Sequence, residues 1–160
     1  MKNHLSIKNF TVILLLIFGC ISISSCSSDD DQATPADGNK NYKFTISVNS
    51  AIDDADYISF VIVGASYDTN QKTFWKVNGV TKNNEAGVSL GDNDFTGGTT
   101  TYVIESVKPF KMATSGIQVI NYNSDLKFSF KAEVNGEVVV NETNKTLSGN
   151  GADFTKDYDF

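Results

Sequence analysis

The sequence predicts an all-β domain, a two-sheet antiparallel β-sandwich of about eight short strands. Three observations carry that prediction. From Tyr42 onward, apolar and polar residues alternate with period two, the mark of half-buried strands. Gly and Asn interrupt the alternation about every ten residues, and no stretch repeats its apolar residues at helical spacing. The longest alternation runs into Asn135-Gly136, the pair that a type I′ hairpin turn needs because both central positions take positive φ.

The elements follow in order. Tyr42, Phe44, Ile46 and Val48 share a face of the first strand, with Lys43, Thr45, Ser47 and Asn49 opposite. The run 57–63 places Ile58, Phe60 and Ile62 on one face and Val61 and Val63 on the other, as expected of a central strand apolar on both sides. A strand over 73–80 carries Trp75 and Val77 on one side. The stretch 100–107 is β-branched and ends before Pro109, which cannot continue a ladder. A short strand spans 117–122. Leu126, Phe128, Phe130, Ala132 and Val134 form the inward face of the hairpin's first arm, and 137–143 returns as the second. A last strand covers 154–160. An immunoglobulin-like order is one form of such a sandwich, since Trp75 is similar in place to that fold's core tryptophan, and a small barrel is the alternative.

Ahead of this domain the chain changes character. Lys2, His4 and Lys8 precede the apolar run Phe10 to Gly19, the length of a signal-peptide core and short of the roughly 20 residues a membrane-spanning helix needs. Ile23-Ser24-Ser25-Cys26 follows, then Asp29-Asp30-Asp31. The first motif resembles the lipobox of bacterial lipoproteins, in which the cysteine is acylated and becomes the mature N-terminus. The acidic run resembles the surface-export signal of Bacteroidota-type lipoproteins. Cys20, after Ile17-Phe18-Gly19, is the rival site, with bulkier Phe18 and no acidic run directly after it. The resemblance implies lipidation at Cys26 and an outer-membrane, lipid-anchored protein at the cell surface. Residues 1–25 are then the signal peptide, 26–40 an acylated cysteine and flexible acidic tether, and 41–160 the sandwich.

Composition bounds the chemistry. Cleavage before Cys26 removes Lys2 and Lys8 from 13 lysines and keeps all 19 acids, for a net charge of −8. Such a surface repels nucleic acid, so none is expected as a partner. The only histidine, His4, and one of the two cysteines, Cys20, leave with the signal, and there is no arginine. Ser-His-Asp and Cys-His catalysis, a His or Cys zinc site and bidentate arginine clamps are therefore not expected. Carboxylate-pair hydrolysis needs less: Glu105, Glu133, Glu137 and Glu142 are the candidates, and two must face each other across a cleft.

Two loops and one aromatic set remain. Asp92, Asp94 and Thr96, with Gly97 at the turn, match the first half of a calcium loop, since alternate positions offer hard oxygens. The twelfth position is Val103 rather than Glu and no helices flank the loop, so an EF-hand is not expected, and a calcium site would need oxygens from another loop such as Asp53, Asp54 or Asp56. Those three acids could alternatively cap a short turn, and Asp, Asn and Gly suit plain turns in any case. Trp75, Tyr67 and Tyr102, with Tyr122, would suit a flat aromatic platform for a sugar or peptide; the competing reading is core packing. The expected function is a cell-envelope lipoprotein with a non-catalytic binding or structural module. It would attach to the membrane through its lipid and meet a carbohydrate, peptide or envelope protein. The alternative is a calcium-stabilised carbohydrate- or peptide-binding domain, and the third reading is a carboxylate-dependent hydrolase. No organic cofactor is expected; calcium is the one ion the loops suit.

Overall fold

A computed structural model describes residues 38–96 and 100–160; the signal segment, Cys26 and most of the expected tether lie outside the described residues. Ten strands occur among the described residues. They are β1 (Tyr42–Val48), β2 (Tyr57–Ala65), β3 (Trp75–Val77), β4 (Val80–Thr81), β5 (Gly87–Gly91), β6 (Thr101–Ser106), β7 (Met112–Asn121), β8 (Leu126–Val134), β9 (Glu137–Leu147) and β10 (Ala152–Asp159), with one helical turn, α1 (Asp92–Thr96). They form two antiparallel sheets, ordered β4-β3-β6-β1-β8-β9 and β10-β7-β2-β5. A constant-type immunoglobulin domain has four strands facing three; here six face four, with β1 on β8, β2 on β7 and β3 on β6 as nested pairs.

The core lies between the sheets. Tyr42, Phe44, Ile46 and Val48 of β1 and Leu126, Phe128, Phe130 and Ala132 of β8 are buried from one sheet, as the alternation requires. Ile58, Phe60 and Ile62 of β2 and Ile117 and Val119 of β7 are buried from the other. Rings interlock across the gap: Phe60 meets Phe128 edge-on at 6.0 Å, and Phe128 meets Phe154 at 5.2 Å. Such edge contacts add about 0.5–1.5 kcal/mol beyond the area they bury. Asn135 and Gly136 take φ of 51° and 84°, as the I′ signal predicts. The turn is also clipped to the start of β1, since Asn41 N–H donates to Asn135 Oδ1 at 2.8 Å.

Four places differ from expectation. The strand expected over 73–80 is divided, because Asn78-Gly79 (φ 47° and 81°) turns the chain from β3 into β4. Strand β5 was not expected; its inward residues are only Val88 and Leu90. Strand β7 begins at Met112, not 117, because its first inward positions are Ala113 and Ser115, too small or polar to register as a buried face. β2 is central in its sheet, yet Val61 and Val63 lie 38% and 42% exposed on the outer face rather than under a second layer.

Candidate functional site

Strand register sorts the loops into two ends. Ser47 stands opposite Thr101, Tyr57 opposite Ile120, Ser59 opposite Gly91 and Asn121 opposite Ala152. One end therefore gathers residues 49–56, α1, residues 122–125 and residues 148–151. This end carries Asp53, Asp54, Asp56, Asp92, Asp94 and Asp125. The chain enters at the other end, where Lys40 and Phe110 exchange backbone hydrogen bonds of 2.8 and 3.1 Å.

At the acidic end backbone N–H groups take up part of the oxygens that the sequence offered to a cation, those of Asp56 and Asp94 above all. Asp94 Oδ2 accepts Gly91 N–H at 2.7 Å, closing the first turn of α1 as a capping-box acid does. Thr96 Oγ1 donates to Asn93 O, and Asp94 O accepts the hydroxyl of Tyr102 at 2.8 Å. Phe95 is buried against Phe60 and Tyr102, so an aromatic plug pins α1 to the sandwich. Asp92, Asp94 and Thr96 thus lie on a short helical turn, not on a loop converging its oxygens. Asp56 is buried; its Oδ2 accepts Asp53 N–H at 2.9 Å and its Oδ1 accepts Tyr122 N–H at 3.0 Å. It is the turn cap of the 53–56 segment and stitches that loop to the end of β7. Asp53 and Asp54 are exposed. Between this loop and α1 lies a depression of about 240 Å³ lined by Ser50, Ala51, Ile52, Phe95 and Thr96. No three His, Cys, Asp or Glu side chains among the described residues are arranged to hold a metal ion.

The aromatic set is not assembled on one face. Trp75 is fully buried, with its Nε1–H donating to Ala86 O at 2.9 Å and its ring edge-on to Phe44 and Phe110. A ligand cannot reach it. Tyr67 is 78% exposed in the β2–β3 loop at the entry end, with Lys111 Nζ 5.9 Å above its ring. Tyr102 is half-buried against Phe95 at the acidic end, where Tyr122 is also placed.

The glutamates are spread out and mostly lysine-paired. Glu105 lies between Lys43 (3.8 Å) and Lys76 (3.6 Å), and Glu133 Oε2 is 3.0 Å from Lys131 Nζ. Lys43 stands opposite both Glu105 and Glu133, so the outer face of the larger sheet carries alternating charges across neighbouring strands. Glu137 lies at the exposed hairpin turn. Glu142 accepts the hydroxyl of Tyr158 at 2.9 Å and pairs with Lys145 at 2.7 Å, bridging the edge strands β9 and β10. The Lys145 hydrogen bond holds the Glu142 carboxyl below its usual range, whereas a general acid needs the reverse. Burial, then the Glu142 contact, pushes Tyr158 up to about 12.

The fold and loop ends define a two-sheet antiparallel β-sandwich with one acid-rich end. No protein-family profile and no curated protein matches the chain. Solved structures similar to it are of this sandwich kind. A DUF4425-family protein from Bacteroides ovatus aligns with 14% identity over 76% of this chain and 94% of its own, at a TM-score of 0.55. The calcium-bound form of a protein from Parabacteroides distasonis aligns with 18% identity over 81% and 98%, at 0.54. A DUF4425 domain of unknown function from Bacteroides vulgatus aligns with 13% identity over 77% and 94%, at 0.53. At these identities the likeness is one of fold.

Proposed function

We propose that this chain is a cell-envelope lipoprotein, acylated at Cys26 and carried on the outer membrane at the cell surface, which presents a non-catalytic β-sandwich as a binding or structural module. The observation that carries the reading is the polarity of the domain about its entry point. Residue 38 enters at one end, and the acid-rich loops stand at the other. Attachment through residue 38 leaves the acidic end, opposite the entry point, open to a carbohydrate, peptide or envelope protein. The lack of histidine, arginine and free thiol after Cys26 favours binding over catalysis. Membrane fractionation tests the anchor. Cys26→Ala should release the protein from membranes and Cys20→Ala should not; the opposite pattern refutes the assignment. Protease treatment of intact cells should remove the domain if it is on the surface.

A calcium-stabilised form of this module is the second reading. It is favoured by the likeness to a protein solved in calcium-bound form and by the exposed Asp53 and Asp54, which lie on the same end as Asp92. Calcium in the millimolar range, but not magnesium, should raise the melting temperature, and Asp92→Asn should reduce the rise. An unchanged melt removes calcium from the account.

A further inference from the structure

A second depression lies at the entry end, built from three loops: residues 66–74, 82–86 and 107–111. It measures about 290 Å³ and is lined by Asn70, Gln71, Lys72, Thr73, Asn84 and Lys108. Val107 supplies an apolar wall. None of these lining residues is a carboxylate, in a chain with 19 acids against 13 lysines. Gln71 is 7% exposed, and its Nε2 has no hydrogen-bond partner among the described residues. A buried amide left unpaired is unfavourable, so a donor of this kind at a lined depression points to an acceptor brought by a ligand. The loop frame is otherwise satisfied: Gln71 N–H donates to Asp68 O, and Asn84 N–H to Thr73 Oγ1, each at 3.0 Å. Lys72 has no ion pair among the described residues, and Lys108 Nζ stands 3.8 Å from Asp68 Oδ2, a loose, exposed pair that a ligand can displace.

We propose that this depression binds a small sugar acid. Its carboxylate would accept hydrogen bonds from the Lys72 and Lys108 ammonium groups and from Gln71 Nε2–H, and its hydroxyls would pair with Asn70, Asn84 and Thr73. Carboxamides both donate and accept, as sugar hydroxyls do. The volume is near the lower bound of about 300 Å³ for small-molecule sites, which fits one ring rather than a chain of them. Inorganic phosphate is the poorer match, because it brings no ring hydroxyls to pair with Asn70, Asn84 and Thr73. The inference rests on the folded domain alone and not on acylation, so it stands or falls separately from the Cys26 experiments.

The test uses residues 33–160, a compact unit holding the whole described core. Titrating sodium D-glucuronate to about 10 mM, above an expected millimolar Kd, should shift the NMR signal of the Gln71 side-chain amide. Glucose should bind at least tenfold more weakly, and inorganic phosphate should not compete. K72Q/K108Q, two surface changes that should leave the melt unaltered, should weaken binding about tenfold, and Q71L should weaken it as far, read from the Asn70 and Asn84 side-chain amides. No shift at Gln71, equal binding of glucose, full competition by phosphate or an indifferent K72Q/K108Q would each overturn the proposal.

Discussion

Asp56→Ala isolates what holds the acidic end together. Asp56 is the one fully buried carboxylate among the described residues, 5% exposed, and it accepts two backbone N–H groups, those of Asp53 and Tyr122. Hydrogen bonds to a charged acceptor contribute about 1.5–3 kcal/mol each. Asp53 lies at an exposed turn where water can replace part of the loss. The Ala variant should therefore lose about 2–4 kcal/mol. Asp56→Asn keeps the shape and one acceptor oxygen and should lose about half of that. Urea denaturation reads the difference: with m of about 1.5 kcal/mol/M, the midpoint should fall by about 1.3–2.7 M for Ala. Asp54→Ala, an exposed neighbour, should stay within about 0.5 kcal/mol of the parent. An Asp56→Ala midpoint as unmoved as that of Asp54→Ala, or an Asn variant as damaged as the Ala one, would refute the two-bond account. Because both Asp56 oxygens are engaged, a calcium-induced rise in melting temperature should survive Asp56→Asn.

Three further substitutions probe the core and the open side of the sandwich. A Cβ at Gly64 would stand 2.7 Å from Phe74 Cδ1 and 3.0 Å from the Phe110 ring, so Gly64→Ala should cost about 1–3 kcal/mol, read as a lower melting temperature. Trp75 is the only tryptophan and is buried, so its emission should be blue-shifted and resist iodide, and saccharides should not alter it; Trp75→Ala should cost about 3–5 kcal/mol. Tyr158 should titrate near 12 in a 295 nm absorbance scan, and Tyr158→Phe should remove that late step. The sign follows from linkage. Tyr158, raised when folded, contributes stability that is present below pH 10 and lost as pH rises from 10 toward 12. Glu142, lowered when folded, contributes stability present above pH 4.5 and lost as pH falls below it.

What was legible in the sequence depended on side-chain size. β1 and the β8–β9 hairpin were plain because every inward position of β1, and the first four of β8, carry a large apolar group or Ala132, and Asn135-Gly136 marks their turn. The first half of β7 was hidden because its inward positions are Ala113 and Ser115, too small or too polar to mark an apolar face. Asn78-Gly79 carried the same turn signal as Asn135-Gly136, yet with β4 only two residues long no alternation followed to draw attention to it. At the acidic end, the sequence located the loops correctly as turns rich in oxygen. Whether an oxygen is free depends on which N–H points at it, and that is settled by register between β2, β7 and β5, which a linear pattern does not encode. The same limit explains Trp75. Period two places it beside Val77 on one face, but only the packing of β3 on β6, with Phe44 and Phe110 around the ring, makes that face the inner one.

The two loop ends differ in chemistry, and their separation has consequences for how a tethered domain would work. Carboxylates dominate the far end, so a divalent cation there would not compete with a carboxylate ligand held by Lys72 and Lys108 at the near end. The chain joins the domain at residue 38, so the near end lies on the side of any attachment and the far end opposite it. A lengthened tether tests the two proposals separately: it should leave any calcium-induced rise in melting temperature unchanged while raising the access of a surface-bound sugar acid to the near end.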